Sequence, residues 1–305
     1  MPHGARGALR QFVWIGLIGL IAFNRLAAAQ AVEFELKPAG GGVYMLAGQG
    51  GNIGVCIGED GVFLIDDQFA PLTPRILEEI RKISEKPVRF VVNTHWHGDH
   101  TGGNENLGET GAIIVAHANV RKRMSETQFM EAFNRTVEPS PKGALPIVTF
   151  DQSVTFHWNG ETIEVTHVQP AHTDGDSVVH FGNANVVHSG DVFFNGMYPY
   201  IDTGAGGNLV GMIRGVERIL ERCDAKTRII PGHGPLATRA DLDRYLQMLT
   251  TVRDRIEPMV SAGRSREQVI AAKPTADLDA DWGGGLMKSD VWVGLVYDGF
   301  QRVRR

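Results

Sequence analysis

Apolar and polar positions divide the chain into stretches of two different periods. Three short apolar runs, 43–46, 53–57 and 62–65, are separated by glycine-rich turns and predict strands. Residues 74–86 (PRILEEIRKISEK) place Ile76, Leu77, Ile80 and Ile83 at the spacing of a helix packed on one face. The run 88–93 (VRFVVN) predicts a strand, 112–116 (AIIVA) another, and 119–134 a helix. From 148 to 187 the pattern is strand-like again (VTF, VTFHWNG, TIEVTHV, SVVHF, ANVVH). Helices over 209–222 and 240–261 follow, with a short strand at 228–230 between them. The tail, 263–305, contains a helical stretch after Ser289. Two halves, each of strands then helices, predict two sheets packed together with helices outside, as one domain over 32–262 with a helical tail.

The first 31 residues differ in kind. Arg6 and Arg10 precede an uncharged apolar run, 12–23 (FVWIGLIGLIAF), and small residues follow at Ala27, Ala28, Ala29 and Ala31. That order predicts a secretory signal peptide cleaved after Ala29 or Ala31, and hence a periplasmic or secreted protein. Spanning a bilayer takes about 20 apolar residues, so cleavage is favoured over a retained anchor. Membrane contact is then confined to the signal before its removal.

Composition changes this picture little. The 305 residues are 43% hydrophobic, enough for a substantial core, and the formal charge is −5. Without the first 31 residues, 27 basic side chains face 35 acidic ones, a charge of −8. Such a balance gives no footprint for nucleic acid and leaves a small molecule as the expected partner. Cys56 and Cys223 either pair in an oxidising compartment or stand as two buried thiols.

The chemistry lies in His95-Trp96-His97-Gly98-Asp99-His100, four candidate ligands in six residues after an apolar strand. On extended backbone, side chains at i and i+2 point the same way, so His95 and His97 can grip one ion. The turn begun by Gly98 swings Asp99 and His100 toward a neighbouring position. Imidazole nitrogen with carboxylate oxygen suits zinc, with iron or manganese as alternatives.

H-x-H-x-D-H after an apolar strand resembles the signature of the metallo-β-lactamase superfamily. The likeness extends through 51–67 (GNIGVCIGEDGVFLIDD, with Asp66), PAHTDGDSVV (170–179, with His172), SGD (189–191, with Asp191) and PGHG (231–234, with His233). By that resemblance His95, His97 and His172 hold one metal, Asp99, His100 and His233 a second, and Asp191 bridges them. The fold implied is the four-layer αββα sandwich, and the cofactor two Zn2+ ions per chain. A metal pair supplies hydroxide near neutral pH, Asp99 orients it, and each metal stabilises an oxyanion.

Other polar residues carry weaker expectations. Asp66 is a candidate hydrogen-bond partner of a ligand histidine, and His188, three residues before Asp191, a lesser one. Asp174 and Asp176 read as turn formers, and His117, His157, His167 and His180 as structural or exposed. Trp96 packs beneath the site or borders it.

The substrate is less determined. GGNL (206–209) resembles secreted β-lactamases, in which an asparagine at the place of Asn208 assists the oxyanion, and 47–52 (AGQGGN) resembles their hairpin loop over the metals. Asp191, however, stands where their main subclass has cysteine, as in the glyoxalase II and lactonase branches, and Phe194 stands at the place of the lysine that binds the drug's carboxylate. Phe194, Met197, Tyr198 and Tyr200 are either core or a pocket border. The reading is a hydrolase of cyclic amides or esters, with β-lactamase activity weak. The alternatives are a glyoxalase II-like thioesterase, an iron enzyme resembling persulfide dioxygenases, and a non-enzymatic metal-stabilised binder. His97 disfavours the flavodiiron branch, which carries glutamate there.

Overall fold

The computed structural model describes residues 32–303. The signal peptide expected over 1–31 lies outside the described residues. Among these, strands β1 (Glu35–Gly40), β2 (Val43–Ala47), β3 (Ile53–Cys56) and β4 (Val62–Ile65) form an antiparallel meander. Strands β5 (Val88–Asn93) and β6 (Ile113–His117) continue the sheet in parallel. A small hairpin of β7 (Gln128–Met130) and β8 (Arg135–Val137) intervenes before β9 (Val148–Phe150) closes a seven-stranded sheet beside β6. The second sheet has six strands in the order β10 (Ser153–Trp158), β11 (Glu161–His167), β12 (Ser177–Phe181), β13 (Val186–His188), β14 (Arg228–Ile230) and β15 (Ala237–Thr238).

The period-two pattern explains the layering. In β4, Phe63 and Ile65 face Val165, Val179 and Phe181 of the other sheet, while Val62 and Leu64 face outward. That outward face is covered by helices α1 (Thr73–Arg81), through Ile76 and Ile80, and α3 (Asn104–Glu109), through Leu107; the one-turn α2 (Gly98–Thr101) lies between them in sequence. After α4 (Ala118–Met124), the second sheet is covered by α5 (Leu209–Glu221) and α6 (Arg239–Ser261). The short α7 (Arg266–Ala271) and α8 (Asp279–Trp282) lead to α9 (Ser289–Val303), whose Trp292, Val293 and Val296 join the same core. The layers are therefore helices, sheet, sheet, helices, with the tail packed into the outer layer of the second half.

Two predicted helices are shorter than expected. α1 stops at Arg81 rather than 86, where the chain turns with the amides of Ile83 and Ser84 both bonding back to the Ile80 carbonyl. The helix expected over 119–134 stops at Met124, and 128–137 instead forms the hairpin of β7 and β8, closed by Asn134 in the left-handed region at φ 47°. Cys56 and Cys223 are both buried free thiols.

Candidate metal centre

Each candidate ligand follows the carboxyl end of a strand, so the stacked sheets deliver them to one edge. His95, His97, Asp99 and His100 follow β5, His172 follows β11, Asp191 follows β13 and His233 follows β14. Turn chemistry fixes each loop. The Asp176 carboxylate accepts from the amides of His172 and Thr173. Asn52 spans two loops, its side chain donating to the carbonyls of Pro231 and Gly234 and its amide to that of Gly232. Asn93 and Asn104 pair side chain to side chain and hold the turn after β5.

Donor atoms of His95, His97, His172 and Asp191 lie within 4.8 Å of one another, and so do those of Asp99, His100 and His233. Asp191 stands between the groups. Its Oδ2 is 3.4 Å from His172 Nε2 and 3.5 Å from His233 Nε2, and its Oδ1 is 3.2 Å from His100 Nε2.

The partners behind the rings fix which nitrogen carries the proton. His97 Nε2 faces Asp202 Oδ2 at 3.0 Å, His172 Nδ1 faces the Tyr200 carbonyl at 2.7 Å, and His100 Nδ1 faces Asp66 Oδ2 at 2.8 Å. Those oxygens accept only, so each ring donates there. His95 Nδ1 lies 3.1 Å from the Thr94 hydroxyl, whose own proton goes to Asp66 Oδ2, so His95 also donates. With those nitrogens donating, the opposite ring nitrogens face one another: His97 Nδ1 sits 3.1 Å from His95 Nε2 and 2.9 Å from His172 Nε2. Converging lone pairs repel unless a cation lies among them. Buried Asp191 Oδ1 also has no well-aligned donor, although His100 is near. The donor set thus fits two divalent cations.

Electrostatics divide the ligands. Burial, with the charge of His100 nearby, holds His95 well below the ordinary histidine range, and burial lowers His172 to about 4. Burial opposes charge on His100 and His233 as well, but the carboxylates of Asp191 and Asp99 outweigh it. His100 is raised well above its usual range and His233 to about 9. Burial disfavours ionised Asp191 and Asp99 too, yet the surrounding histidines hold both below the carboxylate range. A cation entering the second group displaces protons from its histidines.

A cavity of about 560 Å³ opens over these residues, lined by His97, Asp99, Asp191 and His233 below and by Trp96, Phe133, Phe194, Tyr200 and Leu286 around. Phe194 stacks on His233 with ring centroids 5.1 Å apart. Trp96 is buried and borders the cavity, edge-on to His97. The FNGMYPYID segment divides: Phe194 and Tyr200 line this cavity, whereas Tyr198 stacks on Trp292 in the core.

Several expectations need adjustment. Asn208 is the cap of α5: its Oδ1 accepts from Gly211 N, and its backbone lies against Gly299 of α9. It is not among the residues lining the cavity. Asp174 serves Arg123, which donates to both its oxygens, while Asp176 does form the turn. His188 contacts the Asn52 carbonyl rather than a ligand ring. Asp66 does support ligands, from a left-handed backbone at φ 63°. Asp202 behind His97 was not foreseen; it lies 105 positions away, and no local pattern marks it.

Residues 47–233 match the metallo-beta-lactamase superfamily. The hydroxyacylglutathione hydrolase of Erythrobacter litoralis is 27% identical over 75% of this chain and 90% of its own length. The metallo-beta-lactamase type 2 of Bacillus cereus is 25% identical over 62% of this chain and 69% of its own. Among solved structures, the metallo-beta-lactamase from Pontibacter korlensis superposes with a TM-score of 0.59 and 21% identity, over 72% of this chain and 99% of that one. The chain belongs to the metallo-beta-lactamase superfamily. It is a metal-dependent hydrolase of that class.

Proposed function

We propose that this protein is an exported dinuclear zinc hydrolase that opens a cyclic amide or ester bearing an apolar substituent, with β-lactams as weak substrates. The observation that carries the reading is the apolar, aromatic cavity set directly over both donor groups. Two zinc ions, when bound, supply a Lewis acid for the acyl oxygen and an activated water. The chain does the rest. Asp99 lines the cavity and stays ionised beside His100 and His233, so its free oxygen can orient the attacking water and accept its proton. Trp96, Phe133 and Phe194 exclude bulk water and hold the apolar part of the substrate. Phe194 offers no cation beside Asp191, which argues against tight binding of a carboxylate there.

Thioester hydrolysis is the second reading, favoured by the placement of the Asp191 carboxylate between the two groups and by likeness to hydroxyacylglutathione hydrolases. The deciding experiment counts metals by elemental analysis and assays a chromogenic cephalosporin, a lactone and a thioester. Two zincs with hydrolysis abolished by Asp99→Ala support the class, and relative rates choose the substrate. A single iron without hydrolysis of any of the three defeats it.

A further inference from the structure

One charged side chain in the cavity has no ligand role. Arg135 opens β8 and lines the same cavity as Asp99 and His233. Its neighbours in the fold are already engaged. Glu131 of the hairpin is held by Arg302, 2.6 Å to each carboxylate oxygen, and Arg123 is taken by Asp174 and Gln128. Among the described residues the Arg135 side chain has no ion pair or hydrogen bond, and apart from the metal ligands it is the one charged group on the cavity wall. The surfaces beside it, Met130, Phe133, Val137 and Leu286, are apolar.

An exposed arginine is ordinarily just solvated. Here two further observations bear on it. The wall around it is apolar, with Phe133 and Leu286 more than a third exposed, so a substrate filling the cavity would strip water from the guanidinium. Beside Asp191 the wall carries the Phe194 ring stacked on His233, which offers an anion no charged partner. A chain of net negative charge then has Arg135 as its local attractor for an anion at this mouth.

We infer that Arg135 is the specificity residue of this site: it binds a carboxylate carried on the far, apolar end of the substrate. The substrate class is an amphiphile whose apolar body separates the reactive acyl carbon from that carboxylate. A guanidinium fork matches a carboxylate bidentately, which fixes orientation as well as charge. The inference rests on the hydrolase reading of the same cavity.

The test is a calorimetric titration of the zinc-loaded protein with 4-phenylbutyrate and 4-phenylbutyramide, in wild type, Arg135→Gln and Arg135→Lys. Wild type should prefer the acid. Arg135→Gln should lower the acid-to-amide affinity ratio roughly tenfold, the worth of a hydrogen bond to a charged group. Arg135→Lys should keep part of it, retaining charge without the fork. An unchanged ratio in Arg135→Gln, or no measurable binding of the acid by wild type, overturns the inference. Hydrolysis of the lactone and thioester is measured in parallel. If neither is cleaved the hydrolase reading fails on its own, while cleavage with an unchanged ratio fails the role of Arg135 alone.

Discussion

Asp66 Oδ2 accepts from Nδ1 of His100 at 2.8 Å, and the same oxygen takes the Thr94 hydroxyl that supports His95. One buried carboxylate therefore sets the tautomer of a ligand in each donor group. Asp66→Asn offers an amide where the second of these donors needs an acceptor. Metal affinity should fall about 10–100-fold, the usual cost of losing such a support. Competition against a chromogenic chelator measures it, and both ions should weaken together. Loss confined to one ion would mean that the Thr94 relay does not matter. Asp202→Asn, behind His97, should weaken the first group selectively.

Steric closeness gives a sharper test of how Asp191 is held. A Cβ on Gly232 would sit 2.0 Å from Asp191 Oδ1 and 2.7 Å from the Gly190 carbonyl carbon. Neither neighbour can move without displacing the carboxylate between the two groups. Gly232→Ala should cost about 1–3 kcal/mol by overpacking and lower the bound metal below two per chain. Gly284→Ala, where a Cβ meets nothing within 4 Å, is the control. Full metal content in Gly232→Ala would show that the loop relaxes.

How far the sequence disclosed this site follows from distance along the chain. The ligands sit in short runs where strand ends meet glycine turns, so their type and order are visible locally. The strands are visible too, because a face buried between sheets, as with Phe63 and Ile65, imposes alternation. What acts at long range is not visible. Asp202 reaches His97 across 105 positions, and Arg135 reaches the cavity only because 128–137 folds as a hairpin. That segment, rich in helix formers, reads as helix until Asn134 turns it back. Asn208 differs in another way: its neighbourhood resembles an active-site loop, and the structure adds that its side-chain oxygen caps the start of α5.

A pair of stacked histidines ties stability to pH. His117 and His167 lie face to face, centroids 3.8 Å apart at 9°. Burial, then the proximity of His117, lowers His167 below its ordinary value of 6.5, although the Asp176 carbonyl works the other way. The folded protein thus binds the proton more weakly than the unfolded chain. The contribution is fully present above pH 6.5 and is lost as pH falls from there through the depressed folded value. Denaturant unfolding of zinc-loaded wild type and His167→Gln at pH 5 to 8 checks it. The variant should lose stability less steeply below 6.5, by less than one proton; parallel curves would remove the pair from the account.

The cavity wall depends on an ion pair far from the ligands in sequence. Arg302 of α9 donates to both oxygens of Glu131 at 2.6 Å and to the Thr203 carbonyl at 2.9 Å, pinning the hairpin that carries Phe133 and Arg135. Both partners are about half exposed, so the pair itself contributes about 0–1 kcal/mol to stability. Its effect should appear instead in the substrate. Glu131→Ala frees the hairpin while leaving the Thr203 contact beside Asp202 intact, which makes it the cleaner variant. We expect a thermal midpoint lowered by no more than about 4 °C, KM raised several-fold and kcat changed less. The double variant Glu131→Ala/Arg302→Ala should be little worse than Arg302→Ala alone, which already loses both the Glu131 pair and the Thr203 contact. A fall in kcat at constant KM would instead place the effect on His97 through Asp202, and the hairpin would not be what the tail helix positions.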